Sequence, residues 1–359
     1  MQYKLSYEPL YRHDSCNIIK NILNGKSIKA QRDEILKKRG DRYKSVVMQF
    51  FQNAIVLEDY VRTNIKYDMP GYEENGKQLA EFLFTDRNGQ DSHFANVLLY
   101  YTELLAVGID NKEFCFLAVF DDDCIEKSNN LDTPPIIEPG KEFFALLEEC
   151  SVSDDMKLNA IRLYYNFDVY FHYFNALTDQ IKILLLQKHP NPGEVTTSLM
   201  NNIEKQIKTD SKAFFRDNFH FTLDDRNTIL FYPNLYNVNS FSVILTGFGN
   251  KYMIFGLHIL DIIETFKNTE SDISKAESFL NCLSDSTKLN ILKLLRDGPM
   301  YGSQLAEKLN CTGANISHHM STLLDLDMIH VEKVNNRVYF HLDKDAISRH
   351  LDDAKGLFI

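Results

Sequence analysis

Tryptophan is absent from the 359 residues, and the six cysteines never recur at a spacing that would hold zinc or run dithiol chemistry. Cys16, Cys115, Cys124, Cys150, Cys282 and Cys311 stand singly, which reads as reduced thiols rather than a disulfide framework. Long apolar runs are missing too. The strongest, 181–186 and 253–260, fall well short of the ~20 residues that cross a bilayer. Met1 is followed by Gln2-Tyr3-Lys4-Leu5-Ser6-Tyr7, with no apolar stretch after a basic start, so no secretory leader is read there. The expectation is a cytoplasmic chain with no membrane partner. Catalytic signatures are equally scarce. No G-x-G-x-x-G, phosphate-loop, G-x-S-x-G or H-E-x-x-H pattern occurs, and His93, His172, His220 and His258 are isolated, so neither an enzyme nor a bound metal or cofactor is expected.

Excess positive charge is also lacking, with 39 Lys and Arg against 50 Asp and Glu for a net of −11. The deficit is uneven. Residues 275–359 hold 10 Lys and Arg against 11 Asp and Glu, a net of −1, and five of the eleven histidines, which leaves −10 for the residues before them. Any affinity of the C-terminal part for a polyanion must therefore come from a few placed groups, doubled by dimerisation, and not from a diffuse basic surface.

What the chain does have is core material: 44% hydrophobic residues, with 25 Phe and 18 Tyr. Its length suits two or three units. The polar stretch 264–275 reads as a junction, giving a mostly helical region 1–264, with room for two subdomains, and a C-terminal domain 265–359. In the first region a weak alternation over 1–9 suggests a strand. Helical spacing runs over 17–23, 43–65, 77–84, 92–107, 141–149, 154–187 (broken once) and 194–209. Thr133-Pro134-Pro135 and His189-Pro190-Asn191-Pro192-Gly193 are expected to be loops. Short β-branched or aromatic segments at 227–231, 240–246 and 251–255, separated by Pro233, Gly247 and Gly249, suggest a small sheet near 212–256. The fold class expected is mainly α with a minor β part.

From Ser278 onward the local signals sharpen. Ser284 and Asp285 offer an N-cap to a helix whose Leu289, Ile291, Leu292, Leu294 and Leu295 form an apolar face, stopped by Asp297-Gly298-Pro299. A second helix, 303–309, would bury Leu305, Ala306 and Leu309. The turn Asn310-Cys311-Thr312-Gly313 follows, with Thr312 placed to cap a helix over 313–326. That helix turns Ile316, Met320, Leu323 and Leu324 inward and leaves Ala314, Asn315, Ser317, His318 and Ser321 facing out. Such a short polar face fits a DNA major groove, where Asn reads adenine and Ser or His donates to bases or phosphates. Segments 328–334 and 337–342 alternate around Asn335-Asn336, which tolerate positive φ, so a tight hairpin is expected with Lys333 and Arg337 at its tip. A hairpin of this kind after a recognition helix is a wing that grips phosphates.

The runs from Leu283 to Leu295 and from Gln304 to Leu309, together with Asn315-Ile316-Ser317-His318-His319-Met320 and the closing Arg337-Val338-Tyr339-Phe340, resemble the ArsR family of bacterial repressors. The resemblance implies a winged helix-turn-helix homodimer on double-stranded operator DNA. It places helix 313–326 in the major groove, wing 328–342 on the backbone, and DNA contacts at Thr312, Gly313, Ala314, Asn315, Ser317, His318, Ser321, Lys333 and Arg337. Dimer contacts would come from about 273–282 and 345–358. The metal sites of that family are not matched: 303–307 holds no Cys, and the last-helix positions are Lys344, Ala346 and Leu357.

The region before the module carries no such signature. Tyr164–Phe174 packs seven aromatics into eleven residues, either as core or as the lining of a pocket for a planar ligand, and burial of a helix on most sides favours core. Asp121-Asp122-Asp123 lacks the spacing and glycine of a calcium loop and reads as a solvated turn. The function expected is a transcriptional repressor whose N-terminal region senses an unidentified small-molecule effector or organises assembly. The rival is an N-terminal enzyme or protein-interaction domain fused to a DNA-targeting module.

Overall fold

The computed structural model describes residues 2–40, 43–86, 94–106, 108–120, 137, 139–150, 152–222, 228–246, 250–267, 272–334 and 337–356. Thr133-Pro134-Pro135, Asp121-Asp122-Asp123, His93, Cys124, Asn335-Asn336 and Leu357 lie outside them. The protein is mainly helical with two small sheets. It divides into two compact units: Met1–Asn201 with Asn227–Ile259, and Asn202–Arg226 with Leu260–Ile359.

Among the described residues strand β1 (Tyr3–Leu5) leads into the helices α1 (Tyr11–Leu23), α2 (Ile28–Arg39), α3 (Lys44–Asn64), α4 (Gly76–Phe84), α5 (Ala95–Ala106), α6 (Lys112–Phe120), α7 (Lys141–Glu149), α8 (Asp154–Tyr165) and α9 (Phe167–Lys188). The stripe expected in α3 forms, with Val47, Phe51, Ala54, Leu57 and Val61 all buried. Ser27 and Ser153 cap α2 and α8 by accepting the amides of Ala30 and Met156. The single break expected within 154–187 falls at Asn166. Helix α9 then threads the first unit and packs on α1, α3, α4 and α5.

The loop expected over 189–193 ends early, because Pro192 is the first residue of α10 (Pro192–Phe219). Proline is at home at that position: the amide it lacks has no intrahelical acceptor there, and its fixed φ suits the helix. Asp210, at φ −156° and ψ 100°, interrupts α10, and its carboxylate accepts the amide of Ala213 at 3.0 Å to restart the helix. The chain leaves α10 through His220, whose φ of 50° turns it into β2 (Phe221–Thr222). Next come β3 (Thr228–Asn234), β4 (Phe241–Thr246), β5 (Asn250–Gly256) and α11 (Ile259–Lys267). Helices α12 (Asp272–Ser284) and α13 (Ser286–Asp297), strand β6 (Met300–Tyr301), and helices α14 (Gly302–Leu309) and α15 (Gly313–Asp325) follow. Strands β7 (Ile329–Val334) and β8 (Arg337–Leu342) precede the last helix, α16 (Lys344–Gly356).

The sheet of the first unit runs β1-β3-β5-β4, with β1, β3 and β5 parallel and β4 antiparallel to β5. Ile229, Phe231, Met253 and Phe255 are buried in it. Pro233 was expected to separate strands, yet it lies inside β3, paired with Phe255. The amide of Ile229 and the carbonyl of Phe231 face β1, and alternation turns Pro233 the same way, beyond the last β1 partner. The missing donor therefore costs no ladder bond.

Phe167, Tyr170, Tyr173 and Phe174 of the aromatic run are buried, with Tyr170 stacked on Phe82 at 4.8 Å, so these four are core, while Tyr164 and Phe171 are half-buried and Tyr165 is exposed. Cys16, Cys115, Cys150 and Cys282 are buried and in no disulfide, and burial pushes the Cys16 thiol up. No helix among the described residues is long and apolar enough to cross a membrane.

Candidate nucleic-acid interface

The second unit is built around an apolar centre. Ile291, Leu292 and Leu295 of α13, Leu305 of α14, Ile316, Met320 and Leu323 of α15, and Met328 and Ile329 at the start of β7 pack together, with Ala276, Phe279 and Cys282 of α12 closing one side. Asp285 caps α13, its carboxylate accepting the amides of Thr287 at 2.9 Å and Lys288 at 3.0 Å. Those amides hold the carboxyl below its ordinary range, since each bond favours the ionised form.

Helix α14 ends at Asn310, in the left-handed conformation with φ 50° and ψ 45°. The side chain of Thr312 then accepts the amide of Asn315 at 3.3 Å and starts α15. One buried side on α15, made by Ile316, Met320 and Leu323, leaves Thr312, Gly313, Asn315, Ser317, His318 and Ser321 exposed as one short polar face. The two neighbouring histidines part company. His318 is exposed, whereas His319 is half-buried with Nδ1 3.9 Å from Asp285, against the start of α13.

Strands β7 and β8 pair antiparallel, with Lys333 opposite Val338 and Val334 opposite Arg337, so two residues close the hairpin. The backbone of Lys333 and Arg337 thus stands at its end; their side chains, like that of Ala314, lie outside the described residues. Within the hairpin His330 stacks on its cross-strand partner His341, with ring centres 5.1 Å apart and planes 9° apart, and burial and His341 hold the His330 imidazole below its usual range. Helices α12 and α16 pack on each other, with Phe279 stacked on His350 at 5.2 Å, and they leave Leu280 and Leu351 exposed.

The sheet of this unit has an additional strand. Its order is β2-β7-β8-β6, and β2 runs parallel to β7, Phe221 opposite Val331 and Thr222 opposite Glu332, with the amide of Val331 donating to the carbonyl of His220 at 2.5 Å. The outer edge of the wing is therefore covered by a strand contributed from more than 100 residues earlier in the chain. No sequence signal announced it, because two residues carry no periodicity.

Among the described residues no group of three or more His, Cys, Asp or Glu is arranged to hold a metal ion.

Residues 285–331 match the family model described as bacterial regulatory protein, arsR family. The chain is 33% identical over 66 residues to an arsenical resistance operon repressor of Staphylococcus aureus, and spans 64% of that relative's length with 18% of its own. It is 32% identical over 78 residues to the arsenical resistance operon repressor of Staphylococcus xylosus, covering 75% of that protein with 21% of its own length. A third relative, the transcriptional repressor SdpR of Bacillus subtilis (strain 168), is 33% identical over 65 residues, 72% of its length and 18% of this chain. No solved structure shows significant similarity.

Proposed function

Because the chain belongs to the ArsR family of bacterial regulatory proteins, through a DNA-binding transcriptional repressor domain at its C-terminus, we propose that it represses transcription as a homodimer on double-stranded operator DNA. The observation that carries the reading is α15, a helix with one apolar side buried and one continuous side of short hydrogen-bonding residues exposed. In the major groove Asn315 would read a base edge, with Ser317, His318 and Ser321 beside it and Thr312, Gly313 and Ala314 at the phosphate where the helix begins. Lys333 and Arg337, at the end of the β7–β8 hairpin, would hold the backbone alongside.

The dimer in this reading is formed by α12 and α16, whose Leu280 and Leu351 are exposed at 39% and 53%. Two-fold symmetry sets two half-sites about 34–36 Å apart. In this reading no catalytic step is involved and the effector is not an arsenical or a metal ion, because 303–307 holds no cysteine and the family's last-helix ligand positions are Lys344, Ala346 and Leu357. The first unit instead answers a small molecule, which regulates by binding the DNA-competent and incompetent dimers unequally.

A gel shift with the DNA upstream of the protein's own gene tests the docking. Asn315→Ala should weaken specific binding by about 1–3 kcal/mol and relax the preference at one base pair. Arg337→Ala should weaken all sequences alike and lower the salt slope by about one. Wild-type affinity in both variants would remove α15 and the wing from the interface.

A further inference from the structure

We propose that the polar cleft of the first unit, between α1, the α1–α2 turn and the loop after β3, binds a small hydroxyl-bearing anion, and that this is where the repressor senses its effector. The second clause rests on the DNA-binding reading above; the first does not.

The cleft is open to solvent and holds about 380 Å³, within the range of small-molecule sites. Its Asn237, Asn239 and Ser240 stand on the loop that follows the carboxyl end of β3, the end of a parallel strand at which open sheets place their ligands. Two kinds of side chain line it. Asn17, Asn21, Asn237 and Asn239 bring carboxamides, each able both to donate and to accept, which matches sugar-like hydroxyls. The charged residues lining it, among those described, are both lysines: Lys20 and Lys26. They lie 3.8 Å and 2.7 Å from Asp86, which pairs with both ammonium groups and does not itself line the cleft.

The walls are preorganised by buried polar contacts that ordinary packing would not require. Asn21 donates to the hydroxyl of Tyr236 at 3.0 Å, and that hydroxyl donates to Glu58 at 2.8 Å. Glu58 also accepts the amide of Ile28, the first residue of α2, at 2.8 Å. Asp14, fully buried, accepts the amide of Leu235. Helix α1, the α1–α2 turn and the 234–240 loop are thereby tied into one frame. The loop is held from its other side as well. The amides of Gly256 and His258 donate to Ser240 and Val238, and a Cβ on Gly256 would come within 2.2 Å of the Asn237 carbonyl. Within that frame the side-chain oxygen of Asn237 is buried and has no hydrogen-bond donor among the described residues. A buried acceptor of this kind is unusual, and a ligand hydroxyl would satisfy it while the lysines take the anionic end.

The test is calorimetric titration of the full-length protein with glucose 6-phosphate, gluconate and glucose as probes, separating phosphate from carboxylate and both from a neutral sugar. At least one anion should bind saturably, and glucose about tenfold more weakly or not at all. Lys26→Met and Asn237→Leu should each lower the anion's affinity about tenfold with the unliganded melting temperature unchanged. Should Asn237→Leu fail to fold, Lys26→Met decides, since Lys26 is largely exposed. Binding of neither anion, equal binding of glucose, or full affinity in Lys26→Met overturns the site. The same probe added to the gel shift should change operator affinity in the wild type and not in Lys26→Met. Binding by calorimetry with no change in the gel shift overturns the sensing role, and a protein that shifts no DNA overturns the DNA-binding reading while the calorimetry stands.

Discussion

The two units hide different things. Among the described residues every buried charged or strongly polar side chain belongs to the first unit: His13, Asp14, Arg32, Glu58, Glu113 and Asn234 are at most 9% exposed. The second unit, among the described residues, fully buries only apolar residues and cysteine; its histidines His319, His330, His341 and His350 are half-buried, and the polar face of α15 points outward. Apolar packing is tolerant, since shape and volume suffice. A buried charge is stable in one geometry alone, because any rearrangement leaves it unsolvated and unpaired. The C-terminal module therefore needs only a sound core to present its polar helix, whereas the first unit is fixed by particular pairs. That is what a unit requires if it is to hold a shaped cleft.

Glu58→Ala attacks this difference most directly. It strips the acceptor from Ile28 and Tyr236 and the partner from Arg62, and should cost the first unit about 3–5 kcal/mol in a denaturant titration. A loss no larger than that of an ordinary surface substitution would mean the network is decoration. Asp14 gives the opposite sign. Burial pushes its carboxyl up to about 8 despite the Leu235 amide. Its contribution to stability is thus fully present below the unfolded carboxyl's pKa and is lost as pH rises from there through 8. Asp14→Asn keeps an acceptor for Leu235 without the charge. It should stabilise the first unit at pH 8 and flatten that pH slope; an unchanged slope would show that Asp14 is ionised in its pocket.

In the second unit Leu323→Met, at a site with no exposure, should cost less than about 1.5 kcal/mol. A larger loss would make this core as exacting as the other. The smallest effect expected is at His330. Its lowered imidazole pKa contributes stability that is present above the unfolded value and lost as pH falls from there through the lowered folded value. His330→Phe should therefore narrow the drop in melting temperature between pH 7 and pH 5, and an identical drop in the variant would clear His330 of any part in it.

Legibility from sequence follows the same division. In the second unit the determining signals are local: Asp285 and Thr312 cap where capping residues were expected, and β7 and β8 pair antiparallel as the alternation on either side of Asn335-Asn336 suggested. The exposed set on α15 follows from its helical period. In the first unit the pattern fails wherever burial is not one-sided. Helix α2 was missed because only Ile28 and Arg32 of its twelve residues are buried, which leaves no apolar stripe. Helix α6 was missed for the converse reason: Phe114, Cys115, Phe116, Leu117 and Phe120 are all buried, and a segment buried all round has no period. The α1 side of the cleft was passed over, since asparagines and lysines spread from Asn17 to Asn239 are ordinary surface residues until the fold gathers them. Nor can sequence show β2 joining β7, a pairing made by two residues across a long loop.

The pairing of β1 with β3 also sets a timetable. Tyr3 lies opposite Ile229, so the first strand made waits for more than 220 residues before its partner exists. At roughly 5–20 residues per second that is an interval of about 10–45 s on the ribosome, during which the helices can gather but the sheet cannot close. Completion of the first unit is thus deferred until most of the chain has emerged, shortly before the DNA-binding module itself is made.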